Sequence, residues 1–589
     1  MMKKLPQSQA LAVLLLLCLF LLLLSPQWLV LQRGQDLLPW LRLGILPATL
    51  LLLLLLSFQR SPGRSIWLWL PLALLVPQEW FYQLTYGKAT DAHAMAIIAE
   101  TDLAEAAGYL SGIGWLLFGS LLAILLLFAV TSSVLLAAQL HWPRYLRPLV
   151  WCCAGAGVGW VIMQERQYAI DYPVVQQADA TQTLLSRRPL PQSHNLFYQS
   201  FPLNLVLAGN EFRVQQQALS DVAEKSQDFR FGAAQPEVLG DRQIYVLVIG
   251  ETLRPDRLQL NGYHRATTPE LASIPGVVSF KDMISPWAWT RMSVPVIISR
   301  KTAADHRYFF NEKSLVAAFA EAGFRTYWLS TQSPLGVHDS SVALHASEAD
   351  EVQYLNPVGY KKEGFYDEVL LDAFTRVLAR KEQKQLIVLH TLGSHFSYTD
   401  RYPAAFDHFQ PSGKGQKIGM HDRDNRVLLN NAYDNTVLYT DFVISQLIKQ
   451  LQQQQAIASL LLVSDHGENI FDGDCDKSGH GHNTEFDYRT GALWWGSDLF
   501  RKQFPAKAQQ LEKAADLPLV TSQTFHTMLQ LADIHFPSQQ TELSYANPAF
   551  QPQPRLLWTG VDFDTASKTG QCRALPSGQN NAGPASGEG

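Results

Sequence analysis

The chain has 589 residues, of which 47% are hydrophobic and only 17% charged, with a formal net charge of -5. Soluble chains carry roughly a quarter Asp, Glu, Lys and Arg, and the apolar excess here is crowded into Leu-rich runs within the first 165 residues. That distribution excludes a wholly soluble, an intrinsically disordered or a collagen-like chain. With a weakly acidic balance and no basic block, no nucleic-acid partner is indicated.

Five segments are apolar enough to cross a bilayer, for which about 20 residues of helix suffice: Gln9–Leu24, Leu41–Phe58, Ile66–Tyr82, Tyr109–Ala138 and Pro148–Met163. Lys3 and Lys4 before the first run imitate a signal peptide, but no small-x-small cleavage site follows, and the run reads as a retained first helix. Basic residues sit on alternate loops: Lys3 and Lys4, then Arg60 and Arg64, then Arg144 and Arg147. The third loop instead carries Asp91, Glu100, Asp102 and Glu105. The positive-inside rule then places the N-terminus in the cytoplasm and everything after Met163 outside, which in a bacterial inner-membrane protein is the periplasm. The expected organisation is a five-helix transmembrane domain over 1–165, a membrane-surface connector over 166–242, a periplasmic catalytic domain over 243–570 and a disordered tail over 571–589. Within the connector, Tyr198–Phe212 mixes aromatic and apolar residues in a way that suits either the bilayer surface or packing on the globular domain.

Of five cysteines, Cys18, Cys152 and Cys153 lie in apolar runs, and only Cys475 and Cys572 lie in the polar part. Without a CxxC pair, a Cys-based zinc ribbon or redox motif is out. Cys475 and Cys572 either remain thiols or pair, and an oxidising outer compartment favours the pair.

The outer domain alternates short β-rich runs with helical stretches. Ile244–Ile249, Phe324–Leu329, Gln385–Leu389 and Ser459–Val463 are candidate strands, and the last three carry consecutive apolar residues as buried parallel strands do. Asp434–Leu451 places Val437, Ile444, Leu447, Ile448 and Leu451 at helical spacing. The fold expected is α/β, with a mostly parallel sheet and helices on both faces. In such a sheet, chemistry gathers at the carboxyl ends of the strands.

Reactive residues follow three of those ends. Ile244–Ile249 leads into Gly250, Glu251 and Thr252; Ser459–Val463 leads into Ser464, Asp465, His466, Gly467 and Glu468; Gln385–Leu389 leads into His390 and His395. A Gly-rich loop adds His480 and His482. Two carboxylates and a histidine suit a tetrahedral Zn²⁺ ion, which accepts carboxylate oxygen and imidazole nitrogen. A free alcohol is a poor nucleophile near neutral pH, and a bound divalent ion stabilises its alkoxide, which gives Thr252 a purpose beside that shell. The further histidines would protonate a leaving oxygen or hold phosphoryl oxygens. An Asp-His pair after a strand is ordinarily a hydrogen-bonded loop, and Glu-Thr ordinarily a helix start. Their joint appearance at successive strand ends favours a metal site.

At these residues the sequence resembles a known family. Val246–Pro269 (VLVIGETLRPDRLQLNGYHRATTP) resembles the nucleophile region of the phosphoethanolamine transferases of Gram-negative bacteria, membrane-anchored members of the alkaline phosphatase/sulfatase superfamily. Ser293–Pro295, Leu389–His395, Tyr433–Asp441 and Ser464–Glu468 look the same in order. The resemblance implies that Glu251, Thr252, Asp465 and His466 bind zinc, that Thr252 is the nucleophile, and that His395 lies near the substrate phosphate. For the last histidine of the site both His480 and His482 qualify, with His482 slightly preferred because His-Asn resembles the core-sugar-modifying branch. The implied reaction takes phosphoethanolamine from phosphatidylethanolamine onto Thr252 and then onto a lipopolysaccharide acceptor.

There are departures. Leu253–Arg254–Pro255 follows the nucleophile, and Gly491–Trp495 stands where a Val/Ile-Pro is usual. At most one disulfide, where lipid A-modifying members carry several, favours a sugar of the lipopolysaccharide core over lipid A. A sulfatase would need Cys or Ser at position 252. A glycerol-phosphate transferase of the lipoteichoic acid type shares the Thr nucleophile, but the GYxRxTTP and YDNTxLYTD stretches favour the ethanolamine branch. A non-catalytic membrane regulator on a decayed transferase domain would have lost metal-site residues that are all present here.

Overall fold

Uninterrupted apolar runs become the centre of the fold. The computed structural model describes residues 7–32, 37–100, 110, 113–143, 145–171, 199–236, 239–303, 312–332, 341–356, 366–416 and 418–576. The chain divides into two units, one built before residue 102 and over 113–218, the other from 219 onward.

In the first unit each of the five expected segments is helical over most of its described residues, and among the described residues Gln7–Gln32 and Gly114–Ala137 are both long and apolar enough to span a bilayer by length and composition. The second expected span is a π-turn, Trp40–Ile45, running into the helix Leu46–Leu56. The third is broken into Pro62–Ser65, a 3-10 turn Ile66–Trp69, Leu70–Leu74 and Val76–Tyr86. Its breaks fall at Pro71 and Pro77, which have no N–H to continue a helical ladder. The fifth runs on as Leu146–Asp171, past the expected Met163. Leu19, Leu23, Leu52, Ile66, Trp69, Phe128 and Leu135 make the core of this unit. Lys3, Lys4, Asp102, Glu105 and Arg144, on which the expected orientation leans, lie outside the described residues.

From Gln199 on, the Tyr198–Phe212 stretch packs into the helical unit. Phe201 and Leu205 pack into the core of the helical unit. Gln27 Nε2 donates to the Phe201 carbonyl at 2.8 Å, and Asn204 Nδ2 donates to Glu79 Oε1 and the Thr90 carbonyl at 3.2 Å each. Buried amide and carboxylate groups need partners, and these partners pin the start of the helix Leu203–Lys225.

In the second unit the main sheet has seven strands: β1 Arg242–Gly250, β2 Val278–Phe280, β3 Arg325–Ser330, β4 Glu351–Tyr354, β5 Lys384–His390, β6 Ala456–Ser464 and β7 Ala492–Gly496. Their spatial order is β2-β7-β6-β1-β5-β3-β4. The five strands from β6 to β4 are parallel, while β7 runs antiparallel to both neighbours. Alternation along β1 feeds two cores. Tyr245, Leu247 and Ile249 pack with the helices Thr290–Ile298, Leu315–Glu321 and Thr524–Leu531. Ile244, Val246 and Val248 pack with Val369–Leu378 and Arg426–Gln452. The expected mostly parallel sheet with helices on both faces is therefore present. The expected helix Asp434–Leu451 begins instead at Arg426, where buried Leu429, Ala432 and Tyr433 carry its apolar face two turns further back.

The GYHRATTP and YDNTVLYTD stretches clasp each other. Asp434, fully buried, accepts from Tyr263 Oη at 2.8 Å, Arg265 Nη1 at 2.7 Å and Arg257 Nη1 at 3.3 Å. Asp441 accepts from the amides of Glu270 and Leu271 at 2.9 Å each, capping the short helix Pro269–Ser273. Asp434 and Asp441 thus tie the two stretches together as scaffold.

Cys475 and Cys572 form a disulfide. The ordered chain consequently passes the expected boundary at 571: Ala574 bridges Thr484, the Leu575 amide donates to Asn483, and Leu575 is buried. Residues 577–589 lie outside the described residues.

Two outcomes follow from this packing. Asp434→Ala takes the shared carboxylate from Tyr263, Arg265 and Arg257, leaving Arg257 with Asp472 as its remaining ion-pair partner, and is expected to destabilise the globular unit by about 2 kcal/mol, read as a lowered melting temperature of the full chain in detergent. Maleimide labelling of the denatured, unreduced chain is expected to modify Cys18, Cys152 and Cys153 only.

Candidate active site and metal centre

The site forms where β1 and β6 end side by side, Gly250 pairing with Ser464. Glu251 and Thr252 turn off one strand, and Asp465 and His466 turn off the other. The Asp465 amide donates to the Gly250 carbonyl at 3.1 Å, and the Thr252 amide donates to Asp465 Oδ1 at 2.9 Å. Thr252 takes φ 57°. That left-handed conformation costs a β-branched residue about 1–3 kcal/mol and persists only where its surroundings over-determine it. Here they do: the Leu253 amide donates to Ser464 Oγ, Tyr433 Oη donates to the Thr252 carbonyl, and the Arg254 amide donates to Tyr433 Oη. Two glycines allow the crowding. A Cβ on Gly393 would meet the Glu251 carbonyl at 2.7 Å, and one on Gly467 would meet the Phe486 carbonyl at 2.2 Å.

Thr252 Oγ1 donates to Glu251 Oε1 at 2.6 Å. The other Glu251 oxygen accepts from Thr290 Oγ1 at 3.1 Å and Gln332 Nε2 at 3.2 Å. His466 Nδ1 is spent on the Gly467 carbonyl at 2.8 Å, which directs the Nε2 lone pair inward. That nitrogen is 3.3 Å from Asp465 Oδ2 and 3.6 Å from Glu251 Oε1. Two ligand atoms each about 2.1 Å from a tetrahedral ion stand about 3.4 Å apart. Asp465 Oδ2, wholly buried, has no hydrogen-bond partner among the described residues.

The electrostatics agree. Burial and then the Asp465 charge push Glu251 well above the usual carboxylate range. Burial also works against the charge on Asp465, but His466 and the amides of Thr252 and His466 hold it below that range. Burial pulls His466 down to about 4, so the imidazole is neutral and ready to ligate. Two carboxylates and a neutral imidazole packed this tightly are short of positive charge, and the donor set fits a divalent cation.

Of the other expected residues, His480 joins this group and His482 does not. The His480 ring lies 4.4 Å from that of His466, with Nδ1 3.5 Å from Glu468 Oε1. Burial lowers its pKa, but the hydrogen bond and charge of Glu468 outweigh that and raise it. His482 Nε2 is bonded to the Ser478 carbonyl at 2.8 Å, and burial holds the ring down at about 4. The left-handed Gly481 between them turns the two rings to different partners, and it is His480 that lies beside His466. His395 follows β5, its Nδ1 bonded to the Phe396 carbonyl. Burial, then the charges of Arg401, His480 and His466, hold it down at about 3.

Residues 243–534 match the sulfatase family. Phosphoethanolamine transferase EptC of Escherichia coli K12 is 25% identical over 82% of this chain and 83% of its own length. The chain carries a sulfatase-family domain and is similar over most of its length to a phosphoethanolamine transferase. The solved C-terminal periplasmic domain of EptC from E. coli, in complex with Zn, superposes with a TM-score of 0.52 at 25% identity over 56% of this chain and 95% of that domain. The Kdo(2)-lipid A phosphoethanolamine 7''-transferase of E. coli K12 is 30% identical over 49% of this chain and 50% of its own. The fold of nearly the whole chain is shared with the integral membrane protein lipooligosaccharide phosphoethanolamine transferase A of Neisseria meningitidis, with a TM-score of 0.64 at 21% identity over 92% of this chain and 99% of that one.

Several residues of the site carried no assignment from sequence. Thr290 lies three positions before Ser293–Pro295, and Glu468 and Tyr433 stand inside recognised stretches, but nothing separated their roles from packing. Gln332, after β3, gave no signal at all.

The Asp465→Asn/His466→Ala double variant is expected to purify without the divalent ion that the parent retains, by elemental analysis. His480→Ala is expected to impair transfer far more than His482→Ala, measured side by side on one lipid donor.

Proposed function

We propose that this chain transfers phosphoethanolamine from phosphatidylethanolamine to a lipopolysaccharide acceptor through a covalent Thr252 intermediate at a zinc site. The observation that carries the reading is the Thr252 hydroxyl, 2.6 Å from buried Glu251 and beside the orphaned oxygen of Asp465. A hydroxyl with only a structural task has no need of a strained left-handed turn.

Glu251, Thr252, Asp465 and His466 would hold the ion. Bound there, zinc supplies the charge that stabilises an alkoxide and a phosphoryl oxygen near neutral pH. The chain's own residues do the rest. Glu251 orients the Thr252 hydroxyl. Thr252 Oγ1 forms the bond to phosphorus as the bond from phosphorus to the diacylglycerol oxygen breaks, and diacylglycerol leaves as the alcohol, taking up a proton. In the second step an acceptor hydroxyl, losing its proton, displaces Thr252, which regains its own. In this reading His395 and His480 hold phosphoryl oxygens and shuttle the proton at the leaving or entering oxygen.

The E. coli relative named for Kdo(2)-lipid A supports an acceptor of the lipopolysaccharide class. The single disulfide favours a core sugar within it. A lipid donor makes sense of the helical unit, which we read as five spans in the bacterial inner membrane with a cytoplasmic N-terminus and the catalytic unit in the periplasm. The periplasmic domain of the E. coli relative supports that side.

Peptide mapping tests the reading. Protein given phosphatidylethanolamine without acceptor is expected to carry a phosphoethanolamine ester on Thr252, absent from Thr252→Ala and retained in part by Thr252→Ser. His395→Ala is expected to slow transfer by about 10²–10⁴-fold with the metal still bound. An adduct elsewhere, or full turnover by Thr252→Ala, would take Thr252 out of its role.

A further inference from the structure

The nucleophile's strained peptide is held from both sides by one side chain on a distant element. Tyr433 stands on the helix Arg426–Gln452 and is fully buried. Its hydroxyl donates to the Thr252 carbonyl at 2.7 Å and accepts from the Arg254 amide at 3.0 Å. That carbonyl carbon is bonded to the Thr252 Cα, so the bond to Tyr433 restrains ψ of Thr252, while the Asp465 carboxylate on its amide restrains φ. Rotation of Thr252 out of the left-handed region would break both bonds to Tyr433 and bury three polar groups without partners.

The same helix turn reaches the opposite loop. Thr436 Oγ1, bonded to the Tyr433 carbonyl, is 2.7 Å from Ser394 Oγ, and the Ser394 amide donates to the Glu251 carbonyl at 3.0 Å. The Tyr433 ring meets Tyr398 edge-on at 5.4 Å, and Tyr398 Oη donates to Glu468, the partner of His480. Burial keeps the Tyr433 phenol protonated, so it stays a donor at any pH the protein meets.

We propose that Tyr433 is a positioning residue for transfer, clamping the Thr252 peptide so that its hydroxyl stays in line with the phosphorus it attacks. This rests on Thr252 being the nucleophile. A misplaced attacking atom loses rate at unchanged binding, since reaction depends steeply on approach geometry.

The test is the single-turnover rate of Thr252 adduct formation by the full chain in detergent with phosphatidylethanolamine, alongside metal content and donor KM. Tyr433→Phe is expected to slow adduct formation about 10–100-fold, with metal content and KM unchanged. Tyr402→Phe removes an equally buried hydroxyl, bonded to Asp407, from the same core and is expected to react at the parent rate. A fluorinated tyrosine at 433 keeps ring and hydroxyl and is expected to restore the rate to within a few-fold of the parent. An unslowed Tyr433→Phe, a loss of metal that accounts for its slowing, or an equal slowing in Tyr402→Phe overturns the inference. If the parent forms no adduct at Thr252, the proposed mechanism falls as well; if it does, only the clamp is in question.

Discussion

The site depends on the parallel pairing of β1 and β6. Residues 251–252 and 465–466 are far apart in the chain, and neither pair has a local reason to meet the other. The ladder from Arg242↔Ala456 to Gly250↔Ser464 ends both strands at one level, so the next residues of each leave together. A slip of one residue would turn the apolar residues of β1 to the wrong cores. The hydrophobic layers on both faces therefore set the register, and the register brings Glu251, Asp465 and His466 together. The amide of Thr252 on Asp465 completes the ladder with a side chain where the backbone has diverged.

Around that junction the protein spends much hydrogen bonding on a few atoms. Glu251, for instance, meets Thr252, Thr290 and Gln332 through its carboxylate, and Ser394 through its carbonyl. Ligand side chains held in this way need little reorganisation when charge develops nearby. The ion pairs of Arg254 with Asp256 and Asp472 lie just behind, and the Arg254 guanidinium also donates to the Glu468 carbonyl. These bonds tie the segment after Thr252 to the segment after His466.

How much of this the sequence disclosed differs by element. The central strands were plain because a buried parallel strand leaves a run of consecutive apolar residues, as Leu460–Val463 does. Short edge strands such as Val278–Phe280 leave no such run and were not foreseen. The residues at the strand ends were legible because Glu, Thr, Asp and His after buried strands are chemically conspicuous. The choice between His480 and His482 was not, since two residues apart in a Gly-rich loop, side-chain direction depends on a single backbone dihedral. Helix breaks in the first unit follow prolines that were visible but do not by themselves say whether a span bends or ends.

The C-terminal strap gives the fold an order in time. The loop that presents His480 is held at its far end by Ala574 and Leu575 on Asn483–Thr484, and from beside it by the bond from Cys475 to Cys572. The strands that bring Glu251, Thr252, Asp465 and His466 together all lie before residue 467, whereas the histidine loop draws its fastening from residues 572–575. Synthesis reaches those fastening residues about a hundred residues after the strand ends, and the disulfide further waits on oxidation of its cysteines. A chain cut before Cys572 would lack the disulfide and both bridges that hold the histidine arm.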